Sequence, residues 1–117
     1  MAEESRRGLH ARYDAEVDAA RNLAAASGWA FVDLERYSIS CGILRRVPAE
    51  TCCRLRAVPM VDSVHRRVMV VDDVFQGVYI ETNPELLGTP YRYDVEIAFA
   101  TRRGIDAALA KRLNVVK

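Results

Sequence analysis

Five consecutive residues near the middle of the chain, Arg67-Val68-Met69-Val70-Val71, are nearly all apolar and mostly β-branched. A run of this kind has no polar face to give to water, so it reads as the central strand of a sheet. Helical patterns bracket it on both sides. Toward the N-terminus, Leu9, Tyr13, Val17, Ala20 and Leu23 or Ala24 recur at helical spacing, with Asp14, Glu16, Asp18 and Arg21 mostly off the stripe. Ser27-Gly28 ends that pattern with a natural left-handed cap, which predicts a helix over 10–27. Toward the C-terminus, Thr101 caps a helix predicted over 102–113, with Ile105, Ala108, Leu109 and Leu113 on one face. Lys111 and Arg112 favour the dipole in its last turn, and Asn114 suits its C-cap.

Between these helices the signals are shorter. Trp29 to Leu34 is aromatic and β-branched, an extended entry segment. Ser40 suits the cap of a single turn from Cys41 to Arg45, and Pro48 opens a helix over 48–56. Val58 to Val61 forms a strand, with Pro59 at an edge or a strand start, and pairs as a hairpin with 67–71 through a loop near 63–66. Gly77, Pro84, Gly88 and Pro90 interrupt the region 74–90, where Val78 to Glu81 reads as strand and Asn83-Pro84 as the start of a short helix. Tyr91, Tyr93, Val95, Ile97 and Phe99 alternate with Arg92, Asp94, Glu96 and Ala98, the pattern of a half-buried strand. The expected fold is a single α+β domain over 9–117, preceded by a disordered tail at 1–8. Its sheet is small and mostly antiparallel, with about three strands packed by the N- and C-terminal amphipathic helices.

Composition narrows the setting. A length of 117 residues suits one domain, and a 50% hydrophobic content is too high for a disordered chain. No apolar run approaches the roughly 18 residues that a membrane span needs, and the N-terminus lacks the apolar core of a signal peptide. The three cysteines do not form a disulfide framework, so a reducing cytoplasm is expected.

Motifs for catalysis are missing: no G-x-S-x-G, H-E-x-x-H, phosphate-loop or G-x-G-x-x-G pattern occurs. His10 falls at the start of the first helix, and His65 shares the hairpin loop with Ser63 without an orienting acid. Cys41, Cys52, Cys53 and His65 lack the spacing of a zinc site. Adjacent cysteines on a helix point about 100° apart, so one of Cys52 and Cys53 is expected in the core and the other near the surface. Asp72-Asp73 after the central strand would suit a phospho-acceptor domain. The only lysines, Lys111 and Lys117, lie at the far end of the chain, so the pair reads as strand termination. No catalytic residue, cofactor or metal is expected.

A net charge of +1 conceals one local concentration. Arg45, Arg46, Arg54, Arg56, Arg66 and Arg67 stand against only Glu50 and Asp62, six cations against two anions. If they share a face, it suits a nucleotide phosphate, a nucleic acid or an acidic protein surface. The competing reading has them pair around the core with Asp33, Glu35 or Asp94. Nucleic acid ranks last, because no aromatic-rich RNA motif accompanies the cluster.

The order of the pieces resembles the N-terminal domain of the cytoplasmic ATPases of type II secretion and type IV pilus assembly, the GspE/MshE N-terminal type. The resemblance rests on Ala24 to Leu34 with its Phe31-Val32-Asp33-Leu34 phrase, Ile43 to Pro48, Ala57-Val58-Pro59-Met60, Val68 to Asp73, and Val95 to Thr101 followed by Ile105 to Leu113. It covers roughly residues 17–114. It implies a non-enzymatic interaction or regulatory domain. The implied partner is a cytoplasmic segment of a secretion or pilus inner-membrane component, met by the first helix with Trp29 and Phe31 or by the Arg45–Arg67 face. Some members bind cyclic di-GMP through Arg-Leu-Gly motifs upstream of the FVDL phrase. Here Arg7-Gly8-Leu9 only scrambles that motif, so the nucleotide-binding residues do not carry over, and a nucleotide sensor is the second reading. The family's Asp-Pro after the central strand is Asp72-Asp73 here, and its following helix falls on the Gly- and Pro-broken segment 77–90. The ATPase core and its phosphate loop are not among these residues, so no ATP hydrolysis is expected.

Overall fold

The apolar run Arg67–Val71 is the strand β3, and all five of its residues are buried. The computed structural model describes the backbone of residues 2–63, 65–87 and 95–114, and the side chains from residue 15 onward within those ranges. Its elements are α1 (Ala2–Ser27), β1 (Ala30–Phe31), α2 (Cys41–Leu44), α3 (Ala49–Leu55), β2 (Ala57–Asp62), β3, α4 (Val74–Thr82), a 3₁₀ turn (Pro84–Leu87), β4 (Val95–Phe99) and α5 (Arg102–Asn114).

The sheet has four strands in the order β1-β4-β3-β2, one more than expected. It is also mixed rather than mostly antiparallel. Only β2 and β3 form the expected hairpin, while β3 with β4 and β4 with β1 run parallel. The reason is the connection through α4, which carries the chain back so that β4 starts at the same end as β3. The extra strand is Ala30–Phe31, inside the segment read only as an entry. With β2 antiparallel on one side, β4 parallel on the other and α4 packed over it, β3 has all five residues buried.

Helix α4 replaces the expected strand at 78–81 and the expected break at Gly77. Asp73 caps it, accepting from the Gln76 N–H at 3.1 Å. Gly77 is buried rather than disruptive: a Cβ there would lie 2.8 Å from Trp29 Cζ3 and 3.2 Å from Ile97 Cγ2. The glycine lets the helix press directly on the indole and on β4.

Other local signals appear at their expected positions. Ser40 accepts from the Ile43 N–H at 3.3 Å at the start of α2. Thr101 accepts from the Gly104 N–H at 3.0 Å, and α5 extends one residue past its predicted end. Gly28 takes a left-handed φ of +75° after α1. Helix α1 begins at Ala2 rather than at residue 10, and its stripe continues through Val17, Ala20 and Ala24, while Leu23 is exposed. The Leu9 and Tyr13 side chains, Gly88, Pro90 and the first four residues of the alternating run 91–99 lie outside the described residues. In β4, Val95 and Ile97 are buried and Glu96 is exposed, but Ala98 is buried too because it sits between Ala30 and Val70.

Helices α2, α3 and α5 gather on β2, α4 packs on β3 and β4, and α1 packs on β1 and β4. Leu44, Met69, Ile80 and Ile105 are fully buried and anchor the core between them. Among the described residues, no helix is long and apolar enough to cross a membrane.

Candidate docking site

The six arginines do not form one basic face. Arg56 follows α3 in the left-handed region, with φ 48°. From there its Nε and Nη2 donate to Asp72 Oδ2 at 3.1 and 2.7 Å, and Nη2 also donates to Asp106 Oδ1 at 2.8 Å. Its hydrogen bonds to Asp72, then the one to Asp106, hold the guanidinium pKa above its ordinary value. Arg66 Nε donates to Glu96 Oε2 at 2.5 Å. Arg67 is buried, with Asp62 at 3.6 Å across the hairpin. The ion pairs of these three arginines among the described residues run to Asp72, Asp106, Glu96 and Asp62; Asp94 lies outside the described residues. Arg45, Arg46 and Arg54 remain exposed, with no ion pair among the described residues.

Trp29 and Phe31 are both half-buried. Trp29 Nε1 donates to Glu81 Oε2 at 3.3 Å, which ties the residue just before β1 to α4. Phe31 lies under the Arg21 guanidinium, 5.2 Å from the ring centroid. An open groove of about 570 Å³ runs past Trp29, Met60, Arg66, Val68, Glu81 and Glu96. Its two carboxylates outnumber its one arginine, which suits a phosphate poorly.

The structure brings out a second surface that the sequence reading missed. The inner face of α4 is Gly77 and Ile80, both buried. Its outer face carries Phe75, Val78 and Tyr79, which are 84%, 46% and 47% exposed. These positions are spaced i, i+3 and i+4, so they form one stripe. Thr82 continues it, with its hydroxyl donating back to Val78 O at 2.8 Å rather than facing a partner. A surface helix normally turns charge outward, so a helix apolar on both sides signals a contact surface. The signal was present in the sequence: an Asp cap followed by nine residues with a single carboxylate and no cation. It was masked by treating Gly77 as a breaker.

The cysteines separate as the helical spacing predicts: Cys52 is buried, while Cys41 and Cys53 are exposed. Burial is the main cause that pushes the Cys52 thiol up to about 11. In a thiol-labelling assay at pH 8, Cys41 and Cys53 are expected to react promptly and Cys52 only on unfolding. Fast labelling of all three in the folded protein would contradict the buried placement.

No family model and no curated protein sequence matches the chain. Among solved structures, it is similar to MshE in its structure with cdg, at 18% identity and a TM-score of 0.66, over 80% of this chain and 65% of that one. It is also similar to the N-terminal domain of XpsE, at 16% identity and a TM-score of 0.58, over 81% of this chain and 64% of that one. The chain thus spans just under two thirds of the length of both. At these identities the likeness establishes the fold alone, which is like that of MshE and of the XpsE N-terminal domain, the fold that the order of the sequence pieces implied.

Proposed function

We propose that this chain is a non-enzymatic docking and regulatory domain of a secretion or pilus machine, acting in the cytoplasm. Its partner is a cytoplasmic segment of an inner-membrane component. The observation that supports this reading is the outward face of α4, where Phe75, Val78 and Tyr79 stand in water on a helix whose other side is already packed. Leaving such a stripe exposed is unfavourable, by roughly 25 cal/mol per Å² of apolar area, and a partner that covers it recovers that term. This surface is preferred over the Arg45–Arg67 face, because Arg56, Arg66 and Arg67 are engaged with carboxylates of the same chain. Titrating cytoplasmic segments of inner-membrane components into isotopically labelled protein tests the reading. Amide shifts with at least one segment are expected, and no shift with any of them would overturn it.

A second reading, a cyclic di-GMP sensor, is favoured by the similarity to MshE in its structure with cdg and by the exposure of Arg45, Arg46 and Arg54. Arginine is the natural grip for phosphate. Calorimetry with cyclic di-GMP decides it: saturable heat that disappears on replacing these three arginines supports the sensor, and no heat at high micromolar ligand removes it.

A further inference from the structure

The chemistry around α4 specifies the kind of partner. From residue 68 to residue 87 the chain carries Asp72, Asp73, Glu81 and Glu85 and no Lys or Arg, four negative charges against none positive. Asp72 is held by Arg56, but Asp73, Glu81 and Glu85 are exposed, at and just beyond the ends of α4. The apolar stripe is therefore framed by carboxylates and by no cation of its own segment. Resting on the docking reading above, we propose that the Phe75–Val78–Tyr79 face binds an amphipathic helix of a partner protein whose apolar stripe is flanked by Lys or Arg.

Charge excludes the simplest alternative occupant, a second copy. A two-fold pairing of α4 on α4 is self-complementary and brings carboxylates against carboxylates, which disfavours it. Docking α4 onto the Arg45–Arg54 region of another copy satisfies the charges, but it is a head-to-tail contact, which forms rings or open filaments rather than a simple dimer. A separate helix meets both demands. Its apolar residues at i, i+3, i+4 and i+7 lie against Phe75, Val78 and Tyr79, and its flanking cations reach Glu81 and Glu85.

The test uses three model helical peptides of about 20 residues, long enough to form a helix on contact. One has a leucine stripe flanked by lysines, the second replaces the lysines by glutamates, and the third keeps the lysines but scrambles the leucines. The first is expected to bind the intact protein at least about tenfold more tightly than either of the others, with affinity falling as salt rises. Its amide shifts are expected to centre on residues 74–82. Phe75→Ser is expected to weaken it about tenfold, and Glu85→Lys about threefold. Phe75 is almost fully exposed and the exposed Glu85 side chain makes no hydrogen bond or ion pair among the described residues, so neither change threatens the fold. Equal binding of the glutamate peptide at α4 would overturn the basic-partner assignment while leaving docking intact. Failure of the lysine peptide to bind α4, while membrane-component segments shift residues elsewhere, would overturn α4 as the surface. Failure of all peptides and all segments would overturn the docking reading itself.

Discussion

Replacing Arg56 with alanine is expected to lower the unfolding free energy by about 2 kcal/mol. The Asp72 side chain at the end of β3 is only 7% exposed, and Arg56 supplies both of its described hydrogen bonds. Removing one partner of a buried ion pair costs about 3–5 kcal/mol, because the other charge is left without compensation. Arg56 is itself about one third exposed and Asp106 is well exposed, so solvent screening reduces that figure. Arg56→Gly separates the two roles of the residue. Glycine accepts the φ of 48° without a Cβ penalty, so it should regain about 1 kcal/mol relative to alanine while still lacking the ion pairs. Urea unfolding of the two variants checks both statements. A loss below about 0.5 kcal/mol for Arg56→Ala would show that the Asp72–Arg56–Asp106 node contributes little.

Gly77→Val is expected to cost about 2 kcal/mol and to move the protein's single tryptophan. The first carbon added at Gly77 already overlaps the Trp29 ring, and Ile97 closes the space behind it. Overpacking of this kind costs about 1–3 kcal/mol, and a branched side chain offers no rotamer that avoids it. The indole should swing away from α4, losing its bond to Glu81, with a red shift in its fluorescence. Adding Trp29→Leu should restore part of the loss, a coupling that a distant residue would not show. An unchanged emission spectrum together with unchanged stability would mean that α4 does not press on Trp29.

These two residues also mark where the sequence was legible and where it was not. Local chemistry was readable: Ser40 and Thr101 as caps, Gly28 as a left-handed stop, and the apolar run of β3 as a central strand. Each depends on neighbours within a few residues. What depends on distant neighbours was hidden. The parallel pairing of β3 and β4 follows from the crossover through α4, and α4 was obscured because a glycine in a helix looks like a break until Trp29 and Ile97 are beside it. The arginine cluster was found, but three of the four partners, Asp72, Glu96 and Asp106, lie 16, 30 and 50 residues away, so the sequence could not show that Arg56 and Arg66 were already engaged. The outward face of α4 needed the inner face to be known first.

The proposed docking through α4 is tested most directly by hydrogen–deuterium exchange on the protein alone and mixed with a candidate membrane-component segment that shifts its amides. Protection is expected over Val74 to Leu87, with residues 41–56 unchanged. Protection confined to the Arg45–Arg54 region, with α4 exchanging as in the free protein, would contradict it.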